Sequence, residues 1–391
     1  MALLIEGAVT LPTWTPPPDV AFHLDTPIPC ICGKPNMLLH ELGYFFDEPE
    51  LQRRVNNVFM PTSPSHTILV NTSGSGKTRL LLEGLCQNWG FYFTSFVDSS
   101  LLGSSDIQNA IQTTVPNDPQ FRHLLPPPRS PEYQSVVSRN EVVAGRVFKR
   151  AFLARVLLFD LFIAAMKADN GSKNGLTMYD YKRKWLLLQL QPSILHTKIW
   201  DPFDDLTHKL SACSDTDLIK MTKKVLRRIR SALSRSATSS SGGVSLYCVI
   251  DEAQFAATQH TAAFCSASAN DTVPRPILRS LVQTISALTL GHGVFIILAG
   301  TGLSQSSVDA TMASAVMKES RYRWCYDTGA FEGWDGMSSW VRRFVPDWVF
   351  EGPGGNRLKE RMGYWLSGRS VSAFYAYGVV LMRVFSSLLA A

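Results

Sequence analysis

Residues 66–98 read HTILVNTSGSGKTRLLLEGLCQNWGFYFTSFVD. A β-branched, apolar run at His66–Val70 leads into a turn of Asn, Thr, Ser and Gly, then into leucines at helical spacing, then into a second aromatic run. That order predicts strand, tight turn, helix and strand, the unit from which α/β sheets are built. The turn, NTSGSGKT from Asn71 to Thr78, has the spacing G-x-x-x-x-G-K-S/T except that Asn71 stands at the first glycine.

Such a turn has a chemical use. Gly74 and Gly76 let the backbone curl so that successive N–H groups point inward, and a helix starting near Lys77 adds its positive end, which together make a cradle for phosphate oxygens. Lys77 is expected to reach the β- and γ-phosphates of ATP and the Thr78 hydroxyl to hold Mg²⁺. Asn71, Thr72, Ser73, Gly74, Ser75, Gly76 and Arg79 complete the expected nucleotide contacts. Asparagine tolerates unusual backbone angles, so the loop geometry is expected to survive the missing glycine.

The matching parts follow later in the chain. VSLYCVIDEAQF reads as a buried strand ending in Asp251 and Glu252, which brings two carboxylates to the edge of a sheet where ligands bind in open α/β folds. Asp251 is expected to hold Mg²⁺ through water and Glu252 to polarise an attacking water. A strand at GVFIILAGTG ends in Thr301, a candidate to sense the γ-phosphate or fix that water. An arginine to offset charge on the transferred group is also expected. Arg369 is named first, because it opens a helix near the C-terminus, with Arg321, Arg323, Arg342 and Arg343 as alternatives.

Strands alternating with helices imply a parallel, three-layer α/β sheet. Between the proline cluster LLPPPRSP and the Ser/Gly-rich SRSATSSSGG lies a helical block, expected to be an inserted subdomain or lid because residues 79–250 exceed what a compact core needs. Its last helix, DTDLIKMTKKVLRRIRSALSR, is amphipathic: Leu218, Met221, Val225, Ile229 and Leu233 form the apolar stripe, and Lys220, Lys223, Lys224, Arg227, Arg228 and Arg230 the basic arc. The expected organisation is an N-terminal extension at 1–50, core segments at 51–125 and 241–330, the helical insertion at 126–240 and a helical lid at 331–391.

Composition narrows the class. Of 391 residues, 45% are hydrophobic and 18% charged, a globular balance that excludes wholesale disorder. A net charge of +6 suits anionic ligands but is too small to argue for nucleic acid, which the basic arc supports only weakly. Seven scattered cysteines do not make a disulfide framework, which points to an intracellular, cytoplasmic or nuclear, location. Cys30 and Cys32 lack a second pair at zinc spacing and read as a turn. FLARVLLFDLFIAAM carries Arg155 and Asp160 and reads as a packed helix, as does VSAFYAYGVVLMRVFSSLLAA, so no membrane anchor is expected. The chain stops inside that second apolar run without a cap, which suits a truncated product.

With NTSGSGKT, CVIDEAQ and IILAGTG in this order, the chain resembles the P-loop ATPases that carry an extra catalytic glutamate, the group containing AAA+ and STAND proteins. It is most similar to the ATPase modules of fungal Crinkler-like proteins, in which stretches comparable to ILVNTSGSGKTRLLLEGL, DEAQ and DTGAF occur. The resemblance implies a three-layer parallel-sheet P-loop NTPase of the additional-strand, catalytic-glutamate type, with a helical insertion and a C-terminal helical subdomain. It also implies ATP and Mg²⁺ as ligands. Where that family has GRP this chain has Gly368, Arg369 and Ser370, a departure that bears on Arg369. Three further readings stay open: a nucleotide-dependent scaffold that assembles, as a homo-oligomer for instance, with little turnover; a P-loop kinase; and a helicase, for which residues 302–391 leave too little chain.

Overall fold

Parallel pairing joins five short runs into one sheet, β3 (His66–Val70), β4 (Gly90–Thr94), β5 (Leu246–Asp251), β6 (Val294–Gly300) and β7 (Tyr322–Cys325), in the order β4-β5-β6-β3-β7. The register sets Val70 opposite Gly300, Ile250 opposite Leu298, Thr94 opposite Asp251 and Leu69 opposite Cys325. Every residue of β4 and β5 is buried, so side chains on both faces are covered, as their unbroken apolar sequence requires. The protein is thus mixed α/β with a parallel sheet, compatible with three layers. The computed structural model describes residues 1–7, 10–15, 28–44, 48–60, 66–169, 175–195, 198–234, 244–265, 274–304, 308, 322–329, 333–342 and 347–366.

Four of these strands are the apolar runs that the sequence marks. The fifth, YRWC, carries an arginine and is four residues long, and its pairing with β3 comes from the neighbouring strand rather than from its own pattern.

The chain divides into two compact units. One comprises residues 1–10, 58–70 and 84–325, and the other residues 11–57, 71–83 and 326–391. The first holds the whole sheet. Its main core joins Phe91, Phe93, Cys248 and Ile250 of the sheet to Phe148, Phe152, Phe159 and Phe162 of the helix Tyr133–Ala168. Phe91 meets Phe152 with ring centroids 5.7 Å apart, and Phe159 meets Trp185 of the helix Met178–Leu190 at 4.7 Å. The helical block at 126–240, expected as an inserted subdomain or lid, shares this core with the sheet.

The reason lies at the edge strand β4, whose outer backbone groups meet no further strand among the described residues. Side chains of the helical block take them up. Trp185 Nε1 donates to the Gly90 carbonyl at 2.7 Å, Arg155 Nη1 to the Tyr92 carbonyl at 2.6 Å, and the Tyr92 N–H donates to Gln189 Oε1 at 2.8 Å. Arg155 and Asp106, both fully buried, form a two-armed ion pair at 2.9 Å, and the guanidinium lies over the Phe93 and Phe203 rings. Burial pushes the Asp106 carboxyl up despite the pull of Arg155.

In the helix Asp215–Ser234 the buried side is Leu218, Thr222, Val225, Leu226, Ile229, Ala232 and Leu233. Met221, expected on the apolar stripe, is 41% exposed, because the stripe drifts with the helical repeat toward Thr222 and Leu226. Arg228 pairs with Asp160, which explains how the latter charge sits on a packed helix. Among the described residues no helix is long and apolar enough to cross a membrane.

The second unit contains the antiparallel pair β1 (Cys30–Ile31) and β2 (Lys34–Pro35) and a small core of Met337, Val341, Phe350 and Met362. The last four come from the helices Gly333–Val341 and Gly352–Leu366 and the turn Asp347–Phe350 between them.

Candidate functional site

The loop belongs to the second unit. From Val70 the chain passes directly into Asn71, and the helix Lys77–Gln87 starts at the lysine. Gly74 and Gly76 have φ of 76° and 92°, a region that side chains rarely enter, so the two glycines are needed for the curl. Asn71 is not among the residues with positive φ. Backbone tolerance, the reason expected for an asparagine there, is not its role. Its side-chain amide donates to the Tyr326 carbonyl at 2.7 Å and to Thr328 Oγ1 at 3.0 Å, and its Oδ1 accepts the Thr72 N–H at 2.8 Å.

Lys77 is 6% exposed and its ammonium curls back over its own loop, donating to the carbonyls of Asn71 at 2.9 Å and Thr72 at 2.7 Å. Ser75 is fully buried, and its hydroxyl has no hydrogen-bond partner among the described residues. Thr72 and Ser73 are exposed, and Thr78 is half-buried in the first turn of the helix. Arg79, expected beside the phosphates, is committed elsewhere. It pairs with Glu83 at 2.6 Å and donates to the carbonyls of Met37, Leu38, His40 and Glu41, which pins the turn of residues 37–41.

The acidic pair belongs to the first unit. Asp251 ends β5 and is 1% exposed. Its carboxylate accepts the Tyr92 hydroxyl at 3.1 Å and the Glu252 N–H at 2.9 Å, which fixes its orientation. Burial, and then the adjoining Asp251 charge, hold the Tyr92 phenol well above its usual range, so Tyr92 donates throughout the physiological pH range. Ser95, one residue past β4, donates its N–H to the Asp251 carbonyl at 2.9 Å, and its buried hydroxyl lacks a partner among the described residues.

Glu252 has a left-handed backbone, φ 52° and ψ 33°, a rare conformation for a residue with a side chain, and stands at the start of the helix Ala253–Thr258. Gln254 Nε2 donates to the Glu252 carboxylate, and Gln254 Oε1 accepts the Thr301 N–H at 3.1 Å. The structure thus brings together Asp251, Glu252 and Thr301 at the carboxyl ends of β5 and β6. Gln254 and Tyr92 were missed in the sequence. The first is the last letter of DEAQ, and the second is hidden as an aromatic in an apolar strand.

Of the arginines, Arg369, Arg321 and Arg343 lie outside the described residues, as do Ala330 and Phe331 of DTGAF, the joint at 235–243 and the last apolar run. Arg323 is a strand residue whose guanidinium donates to Thr67 Oγ1 at 3.3 Å; both stand second in their strands, toward the end opposite Asp251. Arg342 is exposed and pairs with Asp347. Asp327 is gripped by Arg53 at 2.7 Å and Arg54 at 3.0 Å, and these bonds hold its carboxyl below its usual range against the effect of burial. All seven cysteines are free. Among the described residues no three His, Cys, Asp or Glu side chains gather as a metal site.

No protein-family model, curated protein or solved structure matches the chain.

Proposed function

We propose that the chain is a P-loop ATPase of the additional-strand, catalytic-glutamate type, which binds Mg-ATP and hydrolyses it as a conformational switch. The strand order is the observation that carries this reading. β6 stands between β3, which leads into the glycine loop, and β5, which ends in the acidic pair, an order that suits a sheet with an additional strand between the two.

The residues suit the ligands. Mg²⁺ takes oxygen donors and is usually held by one or two protein groups plus phosphate oxygens. By the sequence motifs that contain them, the Asp251 carboxylate and the Thr78 hydroxyl would each offer such a donor, and the ion would supply charge neutralisation to the phosphates. Loop amides and Lys77 bind the triphosphate. Glu252 takes the proton of a water whose oxygen attacks the γ-phosphorus as the bond to ADP breaks, and Thr301 orients the γ-phosphate. Phosphate binding exchanges the bonds from Lys77 to Asn71 and Thr72 for bonds to phosphate, which couples occupancy to the loop's own conformation.

Titration with ATP and GTP, with and without Mg²⁺, followed by phosphate release, tests the reading. Micromolar binding that depends on Mg²⁺, with turnover, is expected. Glu252→Gln should keep binding and lose turnover by roughly 10²–10⁴-fold. Lys77→Ala should weaken binding by about 10–100-fold. Absence of nucleotide binding overturns the proposal, and binding without turnover leaves a nucleotide-dependent scaffold.

A further inference from the structure

A side chain that the proposed chemistry does not use joins two that it does. Gln254 lies on the first turn of the helix Ala253–Thr258, two residues past Glu252. Its amide makes two bonds of opposite sense, accepting from the Thr301 N–H at 3.1 Å and donating to the Glu252 carboxylate. The chemistry of the partners fixes which way the amide points. A backbone N–H only donates and an ionised carboxylate only accepts, so the oxygen must face Thr301 and the nitrogen Glu252.

A Cβ placed on Gly300 would stand 2.5 Å from Gln254 Oε1 and 2.9 Å from Leu303 Cδ1, so glycine at the last position of β6 leaves the amide room to reach the Thr301 N–H. Glu252 in turn holds a left-handed backbone, and the bond from Gln254 secures its side chain across the tight two-residue gap.

We infer that Gln254 is a positioning residue for hydrolysis: it anchors on the end of β6 and holds the Glu252 carboxylate oriented as the general base. This rests on the ATPase reading. Fixed orientation of a base contributes to kcat rather than to ground-state binding. A glutamate at position 254 would set two carboxylates against each other, and a methionine would fill the space without either bond.

The test compares the full chain with Gln254→Met, Gln254→Glu and Gly300→Ala in ATP turnover, with kcat and KM separated and melting temperature recorded for each. Gly300→Ala displaces the amide while leaving Gln254 itself intact, so it serves if Gln254→Met folds poorly. The expected result is a fall in kcat of roughly tenfold or more with KM for ATP within about twofold. The fall in kcat should be largest in Gln254→Glu, where a second carboxylate displaces that of Glu252. Wild-type kcat, whatever the KM, in folded Gln254→Met and Gly300→Ala overturns this inference alone. Failure of the unmodified chain to hydrolyse ATP overturns the ATPase reading, and this inference with it.

Discussion

Asn71 and Thr328 are joined side chain to side chain at 3.0 Å, and the same Asn71 amide reaches the Tyr326 carbonyl at 2.7 Å. The residue that breaks the glycine pattern of the loop therefore ties the loop to the segment after β7. That segment is itself fixed through Asp327, held by Arg53 and Arg54. Asn71→Gly, which would restore the pattern, removes both bonds and adds backbone freedom to the unfolded chain. It is expected to destabilise the protein by about 1–2 kcal/mol in urea unfolding. Asn71→Ala should do nearly as much. Unchanged midpoints in both would show that the tie has no energetic weight.

Arg155 and Asp106 lie fully buried where the long helix crosses the edge of the sheet. Removing one partner leaves an uncompensated buried charge, so Asp106→Ala should destabilise by about 3–5 kcal/mol. Replacing both, as Asp106→Leu with Arg155→Met, should recover much of that loss, although the bond to the Tyr92 carbonyl is then gone. A double-mutant cycle by denaturant unfolding measures the coupling. A coupling near zero would mean that the pair adds nothing beyond packing.

Runs of apolar residues announced β3, β4, β5 and β6, because strands buried on both faces need unbroken apolar sequence. The turn glycines and the start of the helix at Lys77 were equally readable, since both follow from local backbone rules. What stayed hidden depends on contacts far apart in the chain. β7 is too short and mixed to signal itself. Arg155 signalled only that its helix does not cross a membrane, and its partner Asp106 meets it from far off in the chain. Arg79 is adjacent to the loop motif, yet the carbonyls of residues 37–41 claim it. Gln254 carries no local signature, because its two partners converge only once β5 and β6 pair.

Gly90 opens β4 with almost no room around it. A Cβ there would stand 2.5 Å from the Tyr247 carbonyl oxygen of β5, a backbone atom that cannot swing aside. Gly90→Ala must therefore spread β4 from β5, with an expected loss of about 1–3 kcal/mol. The Trp185 indole donates to the Gly90 carbonyl at 2.7 Å, so tryptophan emission should report the shift. Wild-type stability with wild-type emission would contradict this close approach.

His66 begins β3, opposite Tyr322 of β7, and its Nδ1 faces the Ile296 N–H at 3.4 Å. Burial holds its imidazole below the ordinary value of 6.5, so the folded chain takes up a proton less readily than the unfolded one. Its share of stability is complete above about pH 6.5 and is lost as the pH falls from there through the lowered value. His66→Gln keeps a side chain of similar length without the titration. The urea midpoint of the unmodified protein should therefore fall more steeply between about pH 7.5 and 5 than that of the variant. The difference between the two profiles isolates His66 from His292, whose pKa is also lowered by burial and by nearby Arg230. Parallel profiles would mean that His66 keeps the same proton affinity folded and unfolded.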